Sequence, residues 1–337
     1  MKRTLAFFNN KGGVGKTTLA CNFAHFAATV LGQRTLVLDL DPQANATQLL
    51  LPEAEWERLY EDVSTSPSET ILKVFEHILE GDSAVSTDAN LISSKRFHVD
   101  VLAGHPSLSR AEDHLSRAWI DLRGQQVGGA RRTNWLSTLR SALPHDLVVI
   151  DLGPSLGALN RSALVGCSHF MTPVAADLFS LYALENIGEW IKEWVKEYED
   201  SMSRTREKNP TAKTLLGLPA TADLQTGYIG YSIQQYVARK SGGEIRPTAA
   251  YDRYKAQIPD RASQLKELSA ADATSFELGV VPNMFSMVAL AQNSHAPIAA
   301  LEPRDGVRGA QGYQQARYAE DLNGIFAKIA TNMGVEI

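Results

Sequence analysis

Asn9-Asn10-Lys11-Gly12-Gly13-Val14-Gly15-Lys16-Thr17-Thr18 decides how the rest of this chain is read. The apolar run before it, Leu5 to Phe8, reads as a buried strand. After it Leu19, Phe23, Ala24, Ala27, Val30 and Leu31 recur at helical spacing. Strand, glycine-rich turn and helix together make the context of a P-loop. Glycine lets successive backbone N–H groups turn inward around a polyphosphate, and the new helix aims its positive dipole end at the same anion. The expected phosphate cradle is Gly12, Gly13, Val14, Gly15, Lys16, Thr17 and Thr18. Lys16 suits the β- and γ-phosphates, and the Thr17 hydroxyl suits Mg²⁺. A glycine-rich turn that binds nothing is the competing reading; the number of matched positions in the right strand–helix context weighs against it.

One position departs from the pattern G-x-x-x-x-G-K-[ST]. Where it asks for glycine the chain has Asn10, and a second lysine, Lys11, sits inside the loop. This form, Lys-Gly-Gly-x-Gly-Lys-Thr, closely resembles the deviant Walker A loop of the ParA/MinD family of dimerising ATPases. The resemblance implies ATP and Mg²⁺ as cofactors. It also implies an ATP-dependent homodimer, in which Lys11 reaches across to the phosphates of the partner's nucleotide.

The next apolar run ends in carboxylates, as Leu36-Val37-Leu38-Asp39-Leu40-Asp41 followed by Pro42-Gln43-Ala44-Asn45-Ala46-Thr47. An α/β sheet places its ligand chemistry at such strand ends. The segment resembles the family's switch I, which assigns Asp41 to orienting the attacking water and helping to hold the Mg²⁺ shell, with Asp39 structural. A polar turn capped by Asp41 is the alternative for this stretch taken alone. Asp146 to Asp151 has the Walker B form, and Asp151 is expected to hold Mg²⁺ through a water. Leu152-Gly153-Pro154-Ser155-Leu156-Gly157 resembles switch II, with Gly153 where the family has proline. By the resemblance Lys11, Lys16 and Asp41 carry catalysis; Thr17, Asp41 and Asp151 serve the metal.

Elsewhere the pattern is coarser. Ser68–Leu79 reads as a helix, Phe97–Ala103 as a strand, and Gly124–Arg132 as a polar loop with Arg131 and Arg132 on a solvated surface. Leu184–Tyr198 reads as an amphipathic helix with Trp190 off its apolar stripe, and 201–213 as a surface connection. Strands are expected at His169–Val174, Tyr228–Ile233 and Leu278–Asn283. By resemblance Pro282 and Asn283 line the adenine pocket. A closing helix carries Leu322, Ile325, Phe326, Ile329 and Met333 on one face. It has few basic residues near its end, which argues for packing and against a membrane anchor.

Composition narrows the function classes. The net charge is −5 and the pI about 5.9, so no global basic field advertises nucleic acid. Residues 239–261 are the local exception, with six basic residues against three acidic, net +3. They make Arg239, Lys240, Arg246, Arg253, Lys255 and Arg261 the candidates for non-specific DNA contact. Cys21 and Cys167 lie far apart without metal-ligand spacing, which disfavours an iron–sulfur reductase. No apolar run approaches the roughly 18 residues of a bilayer span, and the start shows no signal-peptide pattern. A cytoplasmic protein is expected, nucleoid-associated if it rides DNA.

The expectation is one doubly wound α/β P-loop domain over 1–337 with a mostly parallel sheet and insertions near 52–95 and 235–275. Its expected function is an ATP-dependent dimerising switch whose weak hydrolysis is stimulated by a partner protein, used in DNA partition or cargo positioning. A ParA-derived subunit of a larger mobile-element or defence complex is the alternative, and a MinD-like membrane positioner is disfavoured. No helix-turn-helix precedes the loop, so operator-specific autorepression is not expected.

Overall fold

Three strands explain the centre of the molecule. In β1 (Arg3–Phe7), β2 (Thr35–Leu40) and β5 (Leu147–Leu152) nearly every residue is buried. That is how strands covered on both faces read, as near-continuous apolar runs. Side chains alternate between two cores. Ala6, Leu36, Leu38, Leu40, Val148 and Ile150 face one; Leu5, Phe7, Val37, Leu147 and Val149 face the other. The computed structural model describes residues 2–61, 66–236, 238–241, 244–247, 249–284 and 286–337; the side chains of 61–67, 225 and 235–249 lie outside the description.

The remaining strands of this sheet are β3 (Ile92–Ser94), β4 (Val99–Leu102), β6 (His169–Ala175), β7 (Tyr228–Tyr236) and β10 (Glu277–Pro282). The sheet has eight strands in the order β10-β7-β6-β1-β5-β2-β4-β3. All pairs are parallel except β3 with β4 at the edge. A separate hairpin joins β8 (Ala238–Ser241) to β9 (Glu244–Pro247). This is the doubly wound α/β architecture, with one core on each face of the sheet.

Over one face lie α1 (Lys16–Thr29), α2 (Asn45–Leu50), α3 (Glu53–Glu61), α12 (Ser286–Asn293) and α13 (Ala310–Asn332). The other face carries α4 (Ile71–Leu79), α5 (Ser109–Arg123), α6 (Val127–Thr133), α7 (Trp135–Ala142), α8 (Ala158–Val165), α9 (Leu178–Lys208), α10 (Ala249–Lys255) and α11 (Ile258–Arg261).

Several elements differ from the sequence reading. Gly124–Arg132 is not a loop: its second half is α6, seated against α5. Gly129 allows that seat, since a Cβ there would collide with the α5 backbone at Leu122. Arg132 is ion-paired with Asp121, and Arg131 donates to Ser83, so neither is merely solvated. α9 runs on through 201–208, with Ser201, Met202 and Thr205 buried; Trp190 packs on the core. The short β3 was not read at all. Within 52–95, α4 buries Ile71, Val74, Phe75 and Ile78 under the sheet.

Candidate functional site

Parallel register brings the chemistry together. Asp151 of β5 stands level with Phe7 of β1 on one side and with Asp39 of β2 on the other. The carboxyl-end loops of β1, β2 and β5 therefore open onto one place, beside the start of α1.

The loop after β1 is fastened from within. The buried Asn9 side chain donates to the Pro173 carbonyl at 2.7 Å, and its oxygen accepts from the Lys11 N–H at 2.9 Å. Gly13 and Gly15 take φ of 72° and 77°, the left-handed region that glycine adopts without strain. Gly15 has a second reason to be glycine: a Cβ would fall 3.0 Å from Gln234 Oε1. The first turn of α1 carries no acidic residue and no side-chain cap, so its N–H groups remain for an anion. The buried Lys16 reaches back to the Lys11 carbonyl at 3.0 Å. Burial lowers its pKa, and the carboxylates of Asp151 and Asp41 work against that shift.

The acidic side is equally ordered. Thr17 donates its hydroxyl to Asp151 Oδ2 at 2.7 Å. The other Asp151 oxygen is buried without a hydrogen-bond partner among the described residues. Burial raises the pKa of Asp151 well above the carboxylate range, and neighbouring Asp39 adds to it. Asp39 accepts from Asp41 N–H and from both the N–H and hydroxyl of Thr47, clamping the switch I segment. Burial still pushes its pKa up to about 6. Gly104 touches this carboxylate; a Cβ there would lie 2.8 Å from Asp39 Cγ. Asp41, only 7% exposed, accepts from the Gln43 N–H at 2.9 Å. Gly153, where the family has proline, lets the chain pass so close that a Cβ would sit 3.2 Å from Asp41 Oδ1.

Between these walls lies a depression of about 340 Å³, lined by Gly12, Gly13, Gly15, Lys16, Thr17, Thr18 and Asp41 with Gln43, Asn45, Leu49, Pro154 and Gln292. Val14, expected in the phosphate cradle, is buried and does not line the depression. Pro282 and Asn283 are not among the lining residues; the Asn283 carbonyl accepts from Tyr318. Gln292, ten residues later, reaches the cleft instead, and Gln43 and Asn45 come with the switch I segment. The residues fit a nucleotide with its cation. A lysine, a threonine and the Asp41 carboxylate line one volume at a helix N-terminus, and the orphaned Asp151 oxygen is buried beside Thr17. No three His, Cys, Asp or Glu side chains among the described residues form a ready-made metal cage. Mg²⁺ commonly binds through one or two carboxylates plus substrate phosphates, which this donor set matches.

Lys11 lies at the rim. Its ammonium is ion-paired with Asp177 of its own chain and stands 3.4 Å from the Ser180 hydroxyl. Asp177 also caps α9 through the Ser180 N–H.

A family model described as AAA domain matches residues 2–204, more than half of the chain. The chain belongs to this family. Its deviant loop and its relatives set it with the ParA/Soj/MinD ATPases. The chromosome-partitioning ATPase Soj of Thermus thermophilus is 34% identical over 188 residues, 55% of this chain and 58% of Soj. The chain thus spans under two thirds of that curated relative's length. Protein DIP2308 of Corynebacterium diphtheriae superposes with a TM-score of 0.77 at 31% identity, covering 98% of each chain. An ATP complex of a variant of Cyanothece McdA shares the fold, with a TM-score of 0.62 at 15% identity over 100% of this chain and 98% of McdA. In the ParA/MinD-type chain described here, no helix among the described residues is long and apolar enough to cross a membrane.

Proposed function

We propose that this chain, over its full length as one domain, is an ATP·Mg²⁺-dependent dimerising ATPase that acts as a switch. The observation that carries the reading is the wall shared by Lys16, Thr17 and Asp41, with the unpartnered Asp151 oxygen behind it. Lys16 and the N–H groups from Gly12 to Thr18 bind the phosphates. Thr17 and Asp151 would hold Mg²⁺, which would supply charge neutralisation to the phosphates. Asp41, fixed by Gln43 and Gly153, orients the attacking water. Lys11 exchanges Asp177 for the partner subunit's nucleotide when two copies meet.

The role is DNA partition or cargo positioning, with turnover raised by a partner protein. The basic segment supports DNA contact only in part. Arg253 is exposed and lies over the Tyr254 ring at 4.8 Å, and Lys255 is half-buried. Arg261, however, is ion-paired with Glu185 of α9. The side chains of Arg239, Lys240 and Arg246 lie outside the described residues. The loss of Arg261 from the patch favours, as a second reading, a subunit of a larger protein complex.

Calorimetry tests the first step. Lys16→Ala removes charge-assisted phosphate contacts of roughly 1.5–3 kcal/mol each, and ATP affinity should fall at least about tenfold. Unchanged affinity would end the reading. Lys11→Ala should bind ATP normally and stay monomeric by light scattering; a normal ATP-dependent dimer would remove Lys11 from the interface.

A further inference from the structure

Switch II, residues 152–157, is held at its far end by a helix that is not its own. Glu112 lies in the first turn of α5, and its carboxylate accepts from the N–H of Ala158 and, at 3.0 Å, of Leu159. These are the first N–H groups of α8, whose own N-cap, Gly157, has no side chain to offer. The fit requires that glycine, because a Cβ on Gly157 would collide with the Glu112 carboxylate. From the same turn of α8, Asn160 Nδ2 donates to the carbonyls of Gly153 and Ser155, both at 2.8 Å. Gly153 then lies against Asp41, and Pro154 lines the nucleotide cleft beside Gly12.

The two helices are joined a second time. Seven residues along α5, on the same face as Glu112, Trp119 receives the Arg161 guanidinium of α8 at 4.3 Å from its ring. The Trp119 Nε1–H donates to Glu197 of α9 at 2.6 Å. α8 is thus bolted to α5 at its N-terminus and again one turn on. A carboxylate at a helix N-terminus makes charge-assisted bonds favoured by the helix dipole, so it is a firm anchor.

We propose that Glu112 is a positioning residue for hydrolysis: it fixes where α8 begins, and through Asn160 where Gly153 lies against Asp41 and Pro154 beside Gly12. This deepens the ATPase reading above and rests on it. A cap that merely stabilises α8 would affect folding and leave the chemistry of the folded enzyme alone. A positioning residue affects turnover while ATP binding, which uses the P-loop, stays intact.

The experiment measures ATP affinity by calorimetry and single-turnover hydrolysis in wild type, Glu112→Ala and Glu112→Gln. Glutamine keeps the shape but presents one acceptor oxygen to two N–H groups. Expected are affinities within about twofold of wild type and a hydrolysis rate down about tenfold or more in Glu112→Ala, since misplacing a catalytic group by about 1 Å can cost a hundredfold. Glu112→Gln should fall between that variant and wild type. Wild-type rates in the folded variants overturn the assignment, as does a loss confined to affinity. Should Glu112→Ala fail to fold, Glu112→Gln decides by the same criterion. Normal hydrolysis in both variants overturns this assignment alone; a wild-type chain that hydrolyses no ATP overturns the ATPase reading and this assignment with it.

Discussion

Asp39 and Asp151 stand side by side in adjacent strands, and burial makes both costly to ionise. Burial pushes the Asp39 carboxyl up to about 6, above the ordinary carboxylate range. A folded-state pKa raised in this way contributes stability below the unfolded value, and that contribution is lost as pH rises through the folded one. Melting curves of wild type and Asp39→Asn without Mg²⁺ should therefore converge or cross in favour of the asparagine variant between about pH 4 and 6. A difference independent of pH would mean that Asp39 titrates normally. On the function proposed above, Asp41 is the residue for chemistry. Asp41→Asn should keep ATP binding and dimerisation and lose single-turnover rate by on the order of a hundredfold or more, the range of a general-base or water-orienting group. Lys16, Thr17, Asp41 and Asp151 were legible in the sequence because each ends an apolar run or sits in a fixed loop pattern. Gly104 against Asp39 was not, being a contact between segments far apart in the chain, set by strand order and carrying no local signal.

At the scale of elements, the start of α9 is the conspicuous feature. Leu178, Phe179 and Tyr182 are 43%, 74% and 53% exposed, directly after the Asp177 that holds Lys11. Three large apolar side chains clustered within one turn and a half make a patch, whereas Val30, Ile120 and Leu216 are exposed far apart in the sequence. If Lys11 reaches across to a second copy, this neighbouring ridge faces that copy and is covered. Phe179→Ser with Tyr182→Ser should change monomer stability by about 0.5 kcal/mol or less, as exposed substitutions do, and abolish the ATP-dependent dimer. A normal dimer in light scattering would put the interface elsewhere. The sequence understated α9 because its last two turns, Ser201 to Lys208, are polar. Thr205 and Ser201 are buried there, with the Thr205 hydroxyl bonded back to the Ser201 carbonyl, so polarity does not mark a surface loop. α6 was missed for a related reason. Two successive glycines look like a break, yet Gly129 is small because α5 presses against it.

The whole molecule is an acidic α/β layer structure with one locally basic stretch, and its role turns on that contrast. Most of the sheet was legible because apolar strands alternated with helical patterns; the short edge strand β3 was not. The separate hairpin, β8 with β9, was not legible either, since Gly242 and Gly243 lie amid charged residues without an apolar alternation. This hairpin and α10 hold five of the six basic candidates; the sixth, Arg261, is already spent on Glu185. One subunit therefore offers little charge to a phosphate backbone, and only two copies held together by ATP would offer a useful amount. DNA binding should then require ATP, and its affinity should fall with salt at a log–log slope of about −0.9 per phosphate neutralised. Arg253→Glu with Lys255→Glu should abolish it at low salt while hydrolysis without DNA is unchanged, because neither residue lines the nucleotide cleft. The measurement is a titration of DNA with the ATP-bound chain at two salt concentrations. If no ATP-dependent binding appears at the lower salt, the basic segment serves a protein partner, and the chain works as a subunit of a larger complex.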